Sequence, residues 1–393
     1  MTRGAQPTVA HSCECPDSCD VLVLGGGPAG SSAAIMLSGM NFSVVLLEQK
    51  PFVPLRVGET LPGEIIKPLT RLGIWGEFLA DGQKPSPGTV AFWGSMEPYE
   101  NDFLYSPYGA GWHLDRVRFD RMLLESAATT GAHVYSGARM EAWQREESGI
   151  WVLRTQINGE SSCLRAKLLI DATGRSSKLG SGLGVRKQVC DRLISLAAFT
   201  SNASTSDPRT LIEACQDGWW YFAPLPNGRA ASTFFTDSDL LPRGMDHLRQ
   251  FWKNRLAETR LISAVMPVDE DLSLFAVSCA TTKLDHAAGD GWLAVGDAAQ
   301  SYDPLSGQGV MRALTSGIAA ADAIARRRSG DIHAFNVFGM DTNLQFERYQ
   351  ADCALYYARE SRWADSVFWR RRRLTGMKSR ITRSMGNDSR LRL

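Results

Sequence analysis

The sequence predicts an α/β fold: a domain built on a parallel sheet, a second sheet inserted into it, and a helical C-terminal region. Three apolar runs, at residues 21–24, 164–170 and 291–295, are typical of buried parallel strands, because each leads directly into glycine or aspartate. The insertions between them have strand character, which predicts an antiparallel sheet that covers a substrate. These strand-like segments lie at 151–157, 193–200, 219–224 and 230–236.

The chain is long enough for two closely packed domains, because 393 residues exceed what one core usually holds. We expect a discontinuous cofactor-binding domain within 20–330, a sheet domain inserted into it, and a helical region with a basic tail. The cofactor-binding domain should comprise about 20–80, 110–180 and 285–330, the sheet domain about 81–109 and 181–284, and the helical region 331–393.

Composition argues against several classes of protein. The formal net charge of +1 argues against bulk nucleic-acid binding. The sequence contains no apolar run of about 18 residues, so we expect no membrane span. Residues 1–20 are polar and lack the apolar core of a secretory signal, so a cytoplasmic enzyme is expected.

Three of the eight cysteines, Cys13, Cys15 and Cys19, cluster before the first apolar run. Three thiols could begin a metal site, but no fourth ligand with the usual pairing follows. We therefore expect no metal, and interpret the segment as a flexible leader whose thiols could respond to redox conditions.

The first apolar run ends in a glycine-rich turn that is typical of dinucleotide-binding folds. Gly25 permits a tight turn, Gly27 lets the backbone approach a pyrophosphate, and Gly30 allows close packing of the next helix on the strand. The helix N-terminus would face the anion. The cofactor-binding residues predicted in this turn are Gly25, Gly27, Pro28, Ala29, Gly30 and Ser31.

Two carboxylates extend this turn into a larger site. Glu48 closes the next strand, where it can accept hydrogen bonds from both ribose hydroxyls and disfavours a 2′-phosphate. Asp297 follows a later strand, where it can bind ribityl hydroxyls. A loop and helix come next, whose backbone amides would face the pyrimidine edge of an isoalloxazine. This arrangement indicates FAD rather than NAD, with Arg116, Pro304, Gly307 and Gly309 as further cofactor-binding residues.

The order of these motifs resembles a known family. GGGPAG, Glu48, HLDRxxFD, DATGR and GDAAxxxDPLSGQG together look like the group A flavoprotein monooxygenases, which share the p-hydroxybenzoate hydroxylase fold, over residues 20 to about 330. The resemblance implies an FAD-binding Rossmann-like domain of this type, with Arg56, Asp171 and Gly174 near FAD. It also implies non-covalent FAD, molecular oxygen and oxygen transfer from a flavin C4a-hydroperoxide to an electron-rich ring.

Two segments place the chain in the halogenase-like branch. RVGETLP at 56–62 and GWWYFAPLP at 218–226 resemble segments of the flavin-dependent tryptophan halogenases. Those enzymes need a lysine near the substrate, but Thr89 stands at the expected position, with Lys84 close in sequence. Ser306 stands where the halogenase loop has glutamate. Both departures argue against halogenation, although a halogenase or small-molecule aromatic hydroxylase remains an alternative.

The same two segments are most similar to the flavoproteins that mature tryptophylquinone enzymes, the LodB, GoxB and QhpG types. That resemblance implies hydroxylation of a tryptophan side chain in a partner polypeptide, the precursor subunit of a quinone enzyme. Electrons would come from NAD(P)H or from a separate flavin reductase. The alternatives are a reductase of the geranylgeranyl type and a non-enzymatic escort or scaffold protein with a flavin fold.

Residues around the expected flavin position are candidates for catalysis: His113, Glu59, Trp93 and Trp220, with Trp112, Trp219 and Tyr221 as further pocket walls. His113 could relay a proton, since the histidine pKa lies near neutrality. Glu59 could be a polar group beside the flavin. A place in the core for the aromatic residues, and a structural role for His113 and Glu59, remain open.

The C-terminal region combines an aromatic helix with a basic segment. Tyr349, Cys353, Tyr356 and Trp363 should share one face that packs against the body or docks a partner. Residues 370–393 contain nine Lys or Arg and are expected to form a solvated tail.

Overall fold

The computed structural model describes residues 16–50, 57–157, 159–201, 205–266 and 273–373. The strands are, in chain order, β1 (Ser18–Leu24), β2 (Val44–Glu48), β3 (Thr60–Leu61), β4 (Lys84–Ser86), β5 (Gly88–Phe92), β6 (Tyr99–Asp102), β7 (Gly111–His113), β8 (His133–Ser136), β9 (Arg139–Arg145), β10 (Trp151–Ile157), β11 (Glu160–Asp171), β12 (Lys187–Val189), β13 (Leu193–Thr200), β14 (Thr210–Cys215), β15 (Gly218–Pro224), β16 (Ala230–Asp237), β17 (Leu274–Ser278), β18 (Thr282–Leu284), β19 (Ala288–Gly289), β20 (Trp292–Ala294) and β21 (Gln300–Ser301). The α-helices are α1 (Pro28–Gly39), α2 (Ile66–Arg71), α3 (Trp75–Ala80), α4 (Arg116–Thr129), α5 (Lys178–Gly182), α6 (Met245–Ala257), α7 (Ile262–Val265), α8 (Gly309–Arg328) and α9 (Ala334–Arg359).

The first sheet has the order β19-β20-β11-β1-β2-β8, and its four central strands β20, β11, β1 and β2 are parallel. Leu24 lies beside both Asp171 and Leu47, and Asp171 lies beside Ala294. The carboxyl ends of these strands therefore meet at one edge, which is where ligands bind in open α/β sheets. This part of the predicted fold is confirmed.

Helices α1 and α8 pack together beside this sheet at very short range. A Cβ on Gly317 of α8 would lie 2.2 Å from the carbonyl oxygen of Ala29 in α1, so only glycine fits there. Ser32 also links the helices, because its Oγ donates to the carbonyl of Leu314 at 3.1 Å. The N-termini of both helices are held at the same edge of the sheet as a result.

The second sheet has the order β17-β13-β16-β15-β14-β5-β6 and is antiparallel except where β14 pairs with β5. One face buries Trp220, Phe222 and Phe234 against helices α6 and α7. The other face presents Trp219, Tyr221 and Phe235 to a different cluster. The predicted inserted sheet is thus present, but the strand at 151–157, which was expected to belong to it, pairs with β11 in the first sheet.

The C-terminal region packs against the second sheet. Tyr349, Tyr357, Phe368 and Trp369 are buried, whereas Tyr356 is 54% exposed. The expected solvated tail does not begin at residue 370, because Arg371 and Arg372 both form ion pairs with the buried carboxylate of Asp237. Residues 374–393 of that tail lie outside the described residues.

Within the part of the chain that the structure describes, none of the helices has the length and apolar character needed to span a membrane.

Candidate active site

A cleft of about 910 Å³ opens where the carboxyl edge of the first sheet meets the second sheet. One part of its lining comes from the turn after β1, the end of β2 and the start of α8. The other part comes from aromatic residues of the second sheet and from β17. The aromatic lining residues are Phe199, Trp219, Tyr221, Phe235 and Phe275 of the second sheet, together with Tyr302. A cleft of this size, apolar at one end and rich in backbone amides at the other, suits a cofactor together with a substrate.

The glycine turn leaves room for a ligand at one position only. A Cβ on Gly25 would lie 2.2 Å from the carbonyl oxygen of Ala172, and one on Gly30 would lie 1.9 Å from that of Gly25. A Cβ on Gly27 would meet no atom within 4 Å. Gly25 and Gly30 are therefore needed to close the turn, whereas Gly27 keeps open the space into which the amides at the start of α1 point.

Some of the residues predicted in this turn face the cleft, and others only shape the turn. Gly25, Gly27, Pro28 and Ala29 line the cleft. Ser31 is buried, and its Oγ donates to the carbonyl of Gly26 at 3.1 Å. Ser31 therefore shapes the first turn of α1 rather than facing the cleft.

The carboxylate of Glu48 is fixed across the mouth of the glycine turn. Its Oε2 accepts from the amide of Gly26 at 2.6 Å, and its Oε1 accepts from the amide of Lys50 at 2.8 Å. Each oxygen keeps a further lone pair, and Glu48 lines the cleft. It could accept ribose hydroxyls in the way that dinucleotide-binding folds require.

Asp297 and the start of α8 form the second predicted element. Asp297 lines the cleft, with its Oδ2 3.4 Å from Nε of Arg175, and burial raises the pKa of this carboxyl. Pro304, Gly307 and Gly309 line the same cleft. A Cβ on Gly309 would meet no atom within 4 Å, so the backbone at the start of α8 is open to a ligand. The donor set of this loop and of the glycine turn fits FAD.

Arg116 lines the cleft but is already well bonded within the protein. Its Nη1 donates to the carbonyl of Val57 at 2.8 Å, and its Nη2 pairs with Asp120 at 3.1 Å. The guanidinium thereby ties the segment that holds Glu59 to helix α4.

Of three other residues predicted to bind the cofactor, the structure places one in the cleft and one behind it. Gly174 lines the cleft with a positive φ of 65°. Asp171 is fully buried, and its carboxylate accepts from the amides of Thr173, Leu179 and Gly180. Asp171 therefore shapes the loop behind the cleft. Arg56 lies outside the described residues.

The aromatic and histidine candidates for catalysis do not reach the cleft. Trp220 is buried against Trp252 on the far face of the second sheet. Trp93 donates through Nε1 to the carbonyl of Tyr356 and lies behind Trp219. None of His113, Trp93 and Trp220 lines the cleft, so the geometry gives these three no role at the reacting atoms.

His113 is a buried, neutral side chain. Its Nε2 lies 2.9 Å from Oγ1 of Thr210, and it is fully shielded from solvent. Burial, with a smaller contribution from the charge of Lys84, lowers the pKa of His113 to about 3. It therefore does not exchange protons near neutral pH.

Glu59 is the catalytic candidate that the structure does place in the cleft. It is 2% exposed, and its Oε2 accepts from the amide of Gly58 at 3.0 Å. Its Oε1 has no partner among the described residues. Burial raises the pKa of Glu59 from 4.5 to about 7, so this carboxyl can hold or release a proton at neutral pH.

This raised pKa predicts a pH-dependent stability. The folded chain holds the Glu59 proton between pH 4.5 and about 7, while the unfolded chain releases it, so stability should fall as the pH rises through that window. A shift of this size corresponds to about 3 kcal/mol. In urea titrations of the apoprotein between roughly pH 5 and pH 8, Glu59→Gln should lose less stability than wild type.

The exposed carboxylate Glu147 supplies the control for this measurement. Glu147→Gln should reproduce the wild-type dependence of the unfolding free energy on pH. Identical pH profiles for Glu59→Gln and wild type would show that Glu59 does not carry a proton at neutral pH.

Sequence reasoning missed a buried network behind the aromatic lining. Nε1 of Trp219 donates to the hydroxyl of Tyr357 at 3.1 Å, and that hydroxyl donates to Oδ2 of Asp303 at 2.7 Å. Burial raises the pKa of Asp303 to about 6. Part of this network could have been predicted from the sequence. Tyr349, Cys353 and Tyr357 are spaced four residues apart and therefore lie on one face of a helix.

The lysine positions bear on the halogenase alternative. The lysines that line the cleft, among the described residues, are Lys50 and Lys178. Lys50 lies two residues after Glu48, and its amide donates to Oε1 of Glu48, whereas Nζ of Lys178 donates to the carbonyl of Met140 at 3.1 Å. Neither Lys84 nor Thr89 lines the cleft. Ser306 caps its own turn by donating to the carbonyl of Asp303 at 3.3 Å.

A metal site was not expected, and within the described ranges no three His, Cys, Asp or Glu side chains come together to hold an ion. The expected flexible leader does not include Cys19, because this residue is buried in β1; Cys13 and Cys15 lie outside the described residues.

Comparison with known proteins agrees with this geometry. The FAD-binding domain family matches residues 18–331. LodB of Marinomonas mediterranea, which is named as an FAD-dependent oxidoreductase, is 31% identical over 363 residues, covering 91% of this chain and 97% of LodB. The resemblance predicted from the motifs is confirmed, and FAD is the cofactor.

Two solved structures share the fold. The flavin-dependent halogenase CmlS superposes with a TM-score of 0.81 at 25% identity, over 94% of this chain and 70% of CmlS. QhpG, named as a peptidyl tryptophan dihydroxylase essential for tryptophylquinone cofactor biogenesis, has a TM-score of 0.75 at 24% identity, over 90% of this chain and 78% of QhpG. A flavin-dependent halogenase and a protein named as a peptidyl tryptophan dihydroxylase thus share the fold of this chain.

Proposed function

Because the chain belongs to the FAD-binding domain family and is an FAD-dependent oxidoreductase, we propose that it hydroxylates a tryptophan side chain within a partner polypeptide. The product would be an intermediate in the biogenesis of a tryptophylquinone cofactor. One observation carries the proposal: an aromatic lining lies in the same cleft as the FAD motifs, and the lysines of that cleft among the described residues are hydrogen-bonded elsewhere, Lys50 to Glu48 and Lys178 to Thr173 and Met140. The similarity to LodB and the fold shared with QhpG support the choice of substrate.

The aromatic residues would bind and orient the substrate ring. Trp219 stacks on Phe235 with ring centroids 4.0 Å apart, and its Nε1 is held by Tyr357. The ring therefore has one fixed position in the cleft. A planar, electron-rich indole fits against such a surface through offset or edge-to-face contacts.

Glu59 and Tyr221 would supply the polar groups beside that ring. The hydroxyl of Tyr221 is hydrogen-bonded to Oγ1 of Thr60, the residue after Glu59. The free Oε1 of Glu59 could accept the proton that the substrate carbon loses when its C–H bond is replaced by C–O. Its near-neutral pKa suits either protonation state.

Bound FAD would supply activated oxygen, and the surrounding protein would keep water away from the reacting atoms. The overall change consumes dioxygen, two electrons and two protons, and yields the hydroxylated ring and one molecule of water. The electrons would come from NAD(P)H or from a flavin reductase.

A reaction with the cognate quinone-enzyme precursor tests the proposal. The holoenzyme, a reductant and isotopically heavy dioxygen should add one or more heavy oxygen atoms to a tryptophan of the precursor, as shown by peptide mass spectrometry. A parallel reaction with bromide and free tryptophan should give no brominated product. Bromination, or a precursor that stays unmodified while reduced FAD is consumed, would contradict the assignment.

A further inference from the structure

Strand β17 is an end strand of the second sheet, and its edge borders the active-site cleft. Within the described residues it pairs only with β13. Residues 274–279 all line the cleft without interruption. Successive side chains of a strand point to opposite faces, so an unbroken run of lining residues means that the edge of the strand, rather than one face, runs along the cleft.

The hydrogen-bond register shows which backbone groups of β17 point away from β13. The amide of Cys279 donates to the carbonyl of Leu193 at 2.9 Å, so these residues form a hydrogen-bonded pair. Because such pairs alternate along an antiparallel ladder, Val277 and Phe275 also direct their backbone groups toward β13. The amides and carbonyls of Leu274, Ala276 and Ser278 therefore point toward the cleft, and no described residue bonds them.

The composition of β17 leaves this edge unprotected. Its sequence is LFAVS, with no charge and no proline, and Phe275 and Val277 are 36% and 39% exposed. The strand at the other end of the sheet, β6, reads YEND and carries two carboxylates. Charges of that kind are how proteins prevent an edge from pairing with another chain. The contrast indicates that pairing is prevented at β6 and permitted at β17.

We propose that β17 is the docking edge for the substrate polypeptide, which adds to the sheet as an extended strand. This inference rests on the proposed function and specifies how the partner is held. Five residues of β17 span about 17 Å, enough for a partner segment of similar length. Alternate side chains of that segment would enter the cleft, where the tryptophan would meet the ring of Trp219.

A narrow extended segment suits this edge better than a second copy of the chain. The edge borders a concave cleft, and the cofactor motifs of β1, β2 and α8 line another part of the same cleft. A folded partner offering its own sheet edge would have to enter that cleft, whereas a single strand would not. The backbone supplies affinity in this binding mode, and the side-chain pockets supply specificity.

The test uses the holoenzyme and a fluorescent seven-residue peptide with a central tryptophan flanked by alternating valine and threonine. Two N-methylated versions carry methyl groups on alternate amides, in opposite registers. One version should bind about tenfold more weakly than the parent peptide and the other nearly as well, because only one set of amides faces β17.

A pair of protein variants provides the second measurement. Ala276→Pro removes an amide that points into the cleft, and Ala276→Val adds similar bulk but keeps that amide. Peptide binding should weaken about tenfold more in Ala276→Pro than in Ala276→Val. FAD absorbance reports whether each variant is folded, and the peptide comparison on wild type stands if Ala276→Pro is not.

The outcomes separate this inference from the proposed function. Equal affinity for both N-methylated peptides, absence of binding by the parent peptide, or a peptide-dependent shift to dimers would each overturn the docking edge. The enzyme could still hydroxylate the tryptophan of its precursor in those cases. Conversely, register-dependent binding without oxygen transfer to any tryptophan would support the docking edge and contradict the proposed function.

Discussion

Replacing Gly27 with valine is expected to give a folded protein that no longer retains FAD. A Cβ at this position meets no protein atom within 4 Å, and the φ of −73° is one that valine adopts readily. The added methyl groups would instead fill the space in front of the first amides of α1. We expect the FAD dissociation constant to rise at least about a hundredfold, measured by titrating the apoprotein with FAD, while its unfolding temperature stays unchanged.

Substitutions at two other glycines of helix α1 serve as comparisons for this experiment. Gly39→Ala is the matched control, because its Cβ would make an ordinary 3.8 Å contact with Cγ2 of Thr130 at the far end of the helix. It should keep wild-type affinity for FAD. Gly30→Val should fail differently, by misfolding, because its Cβ would collide with the carbonyl of Gly25. Wild-type FAD affinity in Gly27→Val would show that the cofactor does not approach this turn.

The glycine turn and the fold class could be predicted because their signals are local. A short apolar strand, a turn with glycines at fixed spacing and a carboxylate at the next strand end all lie within residues 21–48. The parallel register then brings the distant Asp297 to the same edge without any further information from the sequence. The positions of Gly27, Glu48 and Asp297 thus follow from the topology of the parallel sheet.

The aromatic side of the cleft could not be predicted in the same way. Strand β15 reads GWWYFAP and is buried on both faces, so its hydrophobic pattern does not show which residues face the cleft. The sequence favoured Trp220 over Trp219 as a catalytic residue. The structure instead places Trp219 and Tyr221 in the cleft, and Trp220 against Trp252. Adjacent residues of β15 point to opposite faces of the sheet, so the orientation of the strand determines which tryptophan reaches the cleft. That orientation depends on packing partners that are distant in the sequence.

The positions of the charged residues in the C-terminal segment could not be predicted from the sequence either. A run of arginines is usually solvated, and the sequence near residue 371 does not reveal its partners. Arg371 pairs with Asp237 and Asp239, which lie more than 130 residues away along the chain. Arg372 also pairs with Asp237 and lies over the ring of Phe368 at 3.4 Å. These long-range contacts hold the first residues of the expected tail against the body of the protein.

Replacing Trp369 with alanine should therefore destabilise the whole protein, even though the residue lies near the C-terminus. Trp369 is fully buried, donates through Nε1 to the carbonyl of Cys215 at 2.9 Å, and packs edge-on against Trp93, which in turn contacts Trp219. Truncation would leave a cavity and remove the hydrogen bond to the carbonyl of Cys215, at a cost of about 3–5 kcal/mol. Urea unfolding should show this loss, whereas Val367→Ala, at an exposed position in the same segment, should change stability by less than about 1 kcal/mol. If Trp369→Ala were as stable as Val367→Ala, the C-terminal segment would not pack against the second sheet. Trp369 would then give no support to Trp93, and Trp219 would be held in the cleft by Phe235 and Tyr357 alone.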